Sequence, residues 1–202
     1  MSDLSGEIGH RINLSGLTGF KTTLQGSMRE LTLLGRKGRA VQKQLGVGDS
    51  AFGGIVAHIF VDGETGYVAG ENHGFVVSIH EIASPTIIWG NTAVSVSTST
   101  AVGEGGQNTA NILAGDATRP IAASLSVAYT NEDEEDWVLP SRNELTKIYN
   151  NKSTIGLTFQ NASYWSSSEA FGDMAWSRNL STGNEAAFLK NATNRVRAIK
   201  YF

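Results

Sequence analysis

Apolar positions follow different rhythms along the chain, and each rhythm predicts a kind of element. Leu24, Met28, Leu31 and Leu34 are spaced four, three and three apart, one face of a short helix that ends near Gly35, since Gly26, Gly35 and Gly38 each disfavour a longer one. From Ile55 to Val61 apolar residues alternate loosely and Asp62-Gly63 follows, so a strand running into a hairpin turn is expected. Tyr67–Ala69 and Gly74–Ile79 are expected to continue that sheet, with Thr86–Gly90 as a further short strand. Gly103-Glu104-Gly105-Gly106 reads as a loop feeding a helix near Asn108–Leu113. Ile112, Leu113, Ile121 and Leu125 are expected to face the core. Pro140 presets a turn, and Ser141 and Glu144 then have the Ser-x-x-Glu spacing of a capping box, which predicts a helix over 142–150. Trp137 and Leu139 just before it are expected to wedge into the core. The chain then returns to strands: Ala175–Leu180, a turn at Ser181–Asn184, Glu185–Lys190 coming back, and Arg195–Tyr201 closing the domain with Val196, Ala198 and Ile199 inside.

Composition narrows the class. Among 202 residues, charged types make up 17% and Gly 23 positions, a balance that favours a loop-rich, β-containing domain over a helical enzyme. There is no cysteine, which excludes disulfides, thiolate metal sites and cysteine nucleophiles. The segment Met1–Glu7 lacks the basic and apolar regions of a signal peptide, and no apolar run approaches a membrane span, so neither export by that route nor membrane insertion is expected. Charge is uneven: residues 1–46 hold seven Lys/Arg and three Asp/Glu, leaving the remainder at −7 of the overall −3. This predicts an attachment or oligomerisation arm over 1–46 and a globular body over 47–202. The basic cluster Arg36, Lys37, Arg39 and Lys43 has no aromatic neighbours to stack on bases, so nucleic acid is not an expected partner.

Several stretches carry candidate chemistry. Gly103–Gly106 lacks the Gly-Lys-Ser/Thr ending of a phosphate loop. Asn131–Asp136 holds five acidic residues in six without the spaced ligands of a calcium loop, and a solvated loop is expected there. A glycoside hydrolase would need paired carboxylates, for which only Glu144, Glu169, Asp173 and Glu185 lie near the motifs. The four histidines (His10, His58, His73, His80) form no evident catalytic set. No cofactor, metal site or catalytic residue is expected.

Taken in order, Gly48-Asp49 with Gly53-Gly54, Trp89-Gly90, Asn108-Thr109-Ala110, Asp136-Trp137-x-Leu139-Pro140-Ser141-x-x-Glu144-Leu145, Tyr164-Trp165-Ser166-Ser167-x-Glu169, Ala175-Trp176 and Arg195-Val196-Arg197 resemble the Lcl C-terminal-type domain, over about residues 47–202. That domain is related to the C-type lectin-like fold of the formylglycine-generating enzyme group. The resemblance implies an α+β, C-type lectin-like fold with few helices, short strands and long loops, and it implies ligand binding rather than catalysis. The cysteines of the sulfatase-activating enzymes are missing, as are the Glu-Pro-Asn, Gln-Pro-Asp and Trp-Asn-Asp signatures of calcium-dependent sugar lectins.

The C-terminal third further resembles target proteins of diversity-generating retroelements in Bacteroidales and their phages. There a fixed frame, here Tyr164–Glu169, Trp176, Gly183, Lys190 and Arg195–Phe202, surrounds scrambled positions, here among 170–173, 177–181, 184–189 and 191–194. The resemblance implies a phage virion receptor-binding protein, an adhesin at a tail or fibre tip, with Phe171, Asp173, Ser177, Arg178, Asn184, Phe188, Leu189 and Asn191 as the ligand-binding patch. The expected partners are a host cell-surface glycan or protein, other virion proteins through residues 1–46, and further copies of the chain, a trimer by analogy with fibre symmetry. The expected location is the virion, with the bacterial cell surface as the alternative. A structural virion protein without receptor binding and a glycan hydrolase are the competing readings.

Overall fold

The computed structural model describes residues 44–82 and 86–202; the expectations for the arm, including the helix over 24–34, lie outside the described residues. Gln44–Phe202 is one compact unit, a mixed α+β architecture of short helices and open antiparallel sheets. Four strands, β1 (Ser50–Ala51), β2 (Gly54–Ile59), β3 (Gly74–Ser78) and the last strand β9 (Ile199–Tyr201), form a sheet in the order β1-β2-β3-β9. A second pair joins β4 (Ile87–Ile88) to β8 (Thr193–Asn194). The third sheet is β5 (Ser163–Phe171), β6 (Met174–Asn179) and β7 (Glu185–Leu189), in that order. Helices α1 (Gly105–Gly115), α2 (Ala122–Val127) and α3 (Arg142–Ile155) complete the unit.

β3 is buried along its whole length, which explains why Gly74–Ser78 reads as an apolar run instead of an alternating strand. Phe75 and Val77 pack with Ala57, Leu145, Ile148 and Ile199, on the side covered by α3. Val76 turns the other way, to Val56, Trp137 and Ala198. A third cluster gathers Trp89, Ile112, Ile121, Leu139, Trp165 and Val196, joining α1 and α2 to the second half of the domain.

Three expectations change. The Asp62-Gly63 turn does not close a tight hairpin, since β2 and β3 are joined by residues 60–73, and Tyr67 and Val68 lie exposed in turns rather than in a strand. The cause is Glu64, whose carboxylate draws the loop across the domain to His58 Nε2 at 2.6 Å and Lys147 Nζ at 2.8 Å. Helix α3 continues past residue 150, because Ile155 adds a buried contact and Asn151 Nδ2 donates to Ala57 O at 2.8 Å. Gly156 then ends the helix in the left-handed conformation, φ 72°. The closing segment is regular only over Ile199–Tyr201. Before that, Arg195 bridges to Tyr164 in parallel and Ala198 O accepts from Ser78 N, so the chain crosses from one sheet to another.

The capping box forms as its spacing requires, and it does more than start a helix. Glu144 is fully buried. Its Oε2 accepts from Ser141 N at 2.6 Å, while its Oε1 accepts from Gly103 N at 2.8 Å and Tyr201 Oη at 2.7 Å. Burial pushes its carboxyl above the usual range, against donors that favour the charge. Replacing Glu144 with Ala strands one buried and two part-buried donors at about 1 kcal/mol or more each. Glu144→Ala is therefore expected to lower unfolding free energy by about 3 kcal/mol or more in urea titrations, and Tyr201→Phe, which strands only the Gly106 N–H that donates to Tyr201 Oη at 3.3 Å, by about 1–2 kcal/mol.

Candidate functional site

The three-stranded sheet carries the sequence-predicted patch, and strand alternation sorts its members. The β6–β7 register runs from Met174↔Leu189 through Trp176↔Ala187 to Arg178↔Glu185, and Phe171 of β5 lies opposite Met174. One face therefore presents Phe171, Met174, Leu189, Trp176 and Ala187 in sequence, with Arg178 and Glu185 at the far end. Phe171 is 66% exposed and Leu189 45%.

The far end is braced. Glu185 accepts from Arg142 Nε at 2.8 Å and is ion-paired with both Arg142 and Arg178. Arg142 also lays its guanidinium over the Trp176 ring, 3.7 Å from the centroid. Arg178 further donates to Thr146 Oγ1 at 2.9 Å and Gly183 O at 2.8 Å, tying the sheet to α3 and to the β6–β7 turn. Burial works against the Glu185 charge, but Arg142 and Arg178 outweigh it and hold the carboxyl below its usual range.

Of the eight expected ligand-binding residues, four come together. Phe171 and Leu189 share the open face, Asp173 sits exposed in the β5–β6 turn, and the Lys190 N to Asp173 O bond of 2.9 Å sets exposed Asn191 beside that turn. Asn184 is exposed but lies at the opposite end, separated by the five residues of β7, roughly 17 Å at the rise of a strand. Phe188 points to the other face, where its ring meets Trp165 edge-on at 6.4 Å, and it remains 38% exposed at the rim. Ser177 is corrected: it is 1% exposed, and its hydroxyl donates inward to Ala186 O at 3.1 Å. Arg178 is half-buried and committed to its ion pair, so it braces the patch. Ser177 and Arg178 are neighbours in a strand and cannot share a face; alternation also marks Met174 and Trp176 as the residues missing from the patch. Among the positions expected to be scrambled, Leu180 is fully buried in the core beside Leu145 and Ile148, and free substitution there would cost a packed side chain.

The frame residues each have a structural task. Trp165 Nε1 donates to Ile87 O at 2.8 Å, Ser166 Oγ to Trp176 O at 2.8 Å and Ser168 Oγ to Ser99 O at 2.7 Å. Tyr164 hydrogen-bonds Glu81, which is also ion-paired with Arg195. Glu169 accepts from Ser95 Oγ at 2.7 Å and Val96 N at 2.8 Å. Lys190 is fully buried, donating to Val94 O at 2.6 Å and Gly172 O at 2.8 Å, with Glu169 at 3.0 Å. These bonds stitch the long segment between β4 and α1 to the underside of the sheet.

Other chemistry is accounted for. Of the four carboxylates considered for hydrolysis, Glu144 is sealed in the core, Glu169 and Glu185 are ion-paired, and Asp173 alone is exposed. Gly103 N and Gly106 N, which a phosphate would need, already serve Glu144 and Tyr201 Oη. In the acidic segment Glu134 pairs with Lys200 at 2.7 Å, and among the described residues no three His, Asp or Glu side chains group as a metal site. No described helix is long and apolar enough to cross a membrane. A cleft of about 500 Å3 lies beside α3, lined by Glu64, Thr65, Asn143, Thr146, Lys147 and Asn150 among others, with His58 behind Glu64. Burial drives the His58 pKa down despite its hydrogen bond to Glu64.

No protein-family model matches the chain, and no curated protein matches it.

Because the Glu185 carboxyl is held low, its stabilising contribution is complete above the ordinary value of 4.5 and is lost as pH falls below it. Glu185→Gln is expected to cost about 2 kcal/mol at neutral pH. In paired denaturation curves, that difference should shrink as pH falls below 4.5; a constant difference would deny the carboxylate this role.

Proposed function

We propose that the domain is a non-catalytic, C-type lectin-like receptor-binding module of a phage virion, whose working surface is the open face of the β5–β6–β7 sheet. The observation that carries this reading is the apolar strip of exposed Phe171 and Leu189 with half-buried Met174, which ends on a stack of Arg142 over Trp176. Exposed apolar groups clustered on a rigid sheet and rimmed by polar side chains are the usual anatomy of a recognition surface. Asp173 and Asn191 supply that rim at one end and the Arg142–Glu185–Arg178 group at the other.

The resemblance of the Tyr164–Glu169 and Arg195–Phe202 frame to retroelement-diversified phage proteins supplies the virion setting and the role in host attachment. Within that reading, the diversified positions narrow to the exposed ones, Phe171–Asp173, Asn184, Ala186, Phe188, Leu189, Asn191 and Thr193. Ser177 and Leu180 would stay fixed. Residues 1–46 would dock the module to the tail or fibre, and the partner would be a host surface protein or glycan. The apolar character of the strip favours a protein surface, and several copies on one particle would raise weak contacts to useful avidity.

The test is binding of the fluorescently labelled full chain to a panel of bacterial strains. The double variant Phe171→Ser/Leu189→Ser is expected to lose about tenfold or more in cell binding, with its thermal unfolding unchanged. Undiminished binding by this variant, on strains that the parent protein stains, would move the working surface elsewhere.

A further inference from the structure

The β7 strand is the outer edge of its sheet, and no described strand pairs with its free side. The hydrogen bonds at its two ends fix which backbone groups face outward. Lys190 N donates to Asp173 O and Asn179 N donates to Asn184 O, so 173/190 and 179/184 are hydrogen-bonded pairs. Stepping by two along an antiparallel ladder makes 175/188 and 177/186 hydrogen-bonded as well. The N–H and C=O groups of Glu185 and Ala187, and the N–H of Leu189, therefore point away from β6, toward the side where no described strand lies. Natural edges are usually blunted by lysine, proline or a bulge. β7 reads Glu-Ala-Ala-Phe-Leu and its register to β6 runs without a shift, so it has none of these.

We propose that β7 pairs antiparallel with β7 of a second copy of this chain about a two-fold axis at Ala187, joining two three-stranded sheets into one of six strands. The strand is self-complementary in this arrangement. Ala187 meets its own counterpart, each N–H donating to the other's carbonyl, and the Leu189 N–H meets the Glu185 carbonyl from both directions. On one face, exposed Phe188 comes to lie opposite exposed Ala186, a large ring against a methyl group. On the other, Leu189 lies opposite Glu185, whose charge Arg142 and Arg178 already balance. A two-fold contact of this kind is isologous and closes on itself. It does not depend on the receptor-binding reading, and it leaves Phe171 and Met174 outside the pairing, so the two apolar strips would merge into one wider surface.

The lack of native cysteine gives a direct test. At a hydrogen-bonded antiparallel pair the Cα atoms lie about 5.5 Å apart, within disulfide reach. The full-length Ala187→Cys variant is expected to oxidise to a covalent dimer far faster than Asn150→Cys, a control on the exposed side of α3. The Ala187→Pro variant loses only an outward N–H, which an edge strand tolerates. In sedimentation velocity it is expected to halve the mass of the parent assembly while keeping its circular dichroism. Cross-linking of Ala187→Cys no faster than the control, or a parent mass unchanged by Ala187→Pro in a folded protein, would overturn the proposal, as would a monomeric parent protein.

Discussion

Everything in the domain converges on the buried carboxylate of Glu144. It accepts from the first turn of α3, from the loop that enters α1 and, through Tyr201, from the last strand of the chain. Three segments far apart in sequence thus share one acceptor group in the core. A carboxylate in that position is costly to desolvate, and what holds it is the set of donors aimed at it. The same crowding fixes Gly105, since a Cβ there would come within 2.5 Å of Glu144 Oε2 and 2.9 Å of Tyr201 Oη. The N-terminus of α1 is therefore set by contact with the start of α3, and α3 in turn covers one face of the four-stranded sheet.

From that junction the organisation runs outward in polar steps. Arg142, the first residue of α3, donates its N–H to Ser168 Oγ at 3.0 Å and sends its guanidinium over Trp176 to Glu185. The helix that Glu144 anchors is thus the helix that braces β6 and β7. On the opposite side Glu169 and Lys190 clasp the segment around Val94 and Val96. Serines 166–168 are fully buried and hydrogen-bonded, which an apolar core could not replace without stranding backbone groups of the loops they hold. The exposed residues between these fixed points carry few of the obligations that hold the fold.

Much of this was legible in the sequence where local chemistry dictates structure. The Ser141–Glu144 spacing forecasts a reciprocal cap, and Trp137 and Leu139 are both fully buried as their position beside it implied. The Ser181–Asn184 turn likewise lies between β6 and β7. What stayed hidden depends on contacts distant in sequence. Nothing local announces that Glu64 reaches Lys147, so the loop over 60–73 reads as a hairpin with a following strand. The end of α3 lies past the expected residue 150 because Asn151 meets Ala57 O, a partner distant in sequence. The candidate patch was partly visible, since Phe171, Asp173, Leu189 and Asn191 cluster. What it lacks is strand alternation: neighbours such as Ser177 and Arg178 fall on one surface in it, where alternation buries Ser177 and brings Met174 and Trp176 forward.

A rigid, polar-stitched frame carries a face that the fold does not need. A combinatorial library separates the two. Phe171, Asp173, Asn184, Leu189 and Asn191 would be randomised together, and cooperative thermal unfolding scored across many members beside a matched library at Trp165, Ser166, Ser168, Glu169 and Lys190. Most members of the first library are expected to unfold cooperatively near the parent temperature, and the second library is expected to lose the transition. Widespread loss of folding in the first library, or its survival in the second, would contradict the division into frame and face.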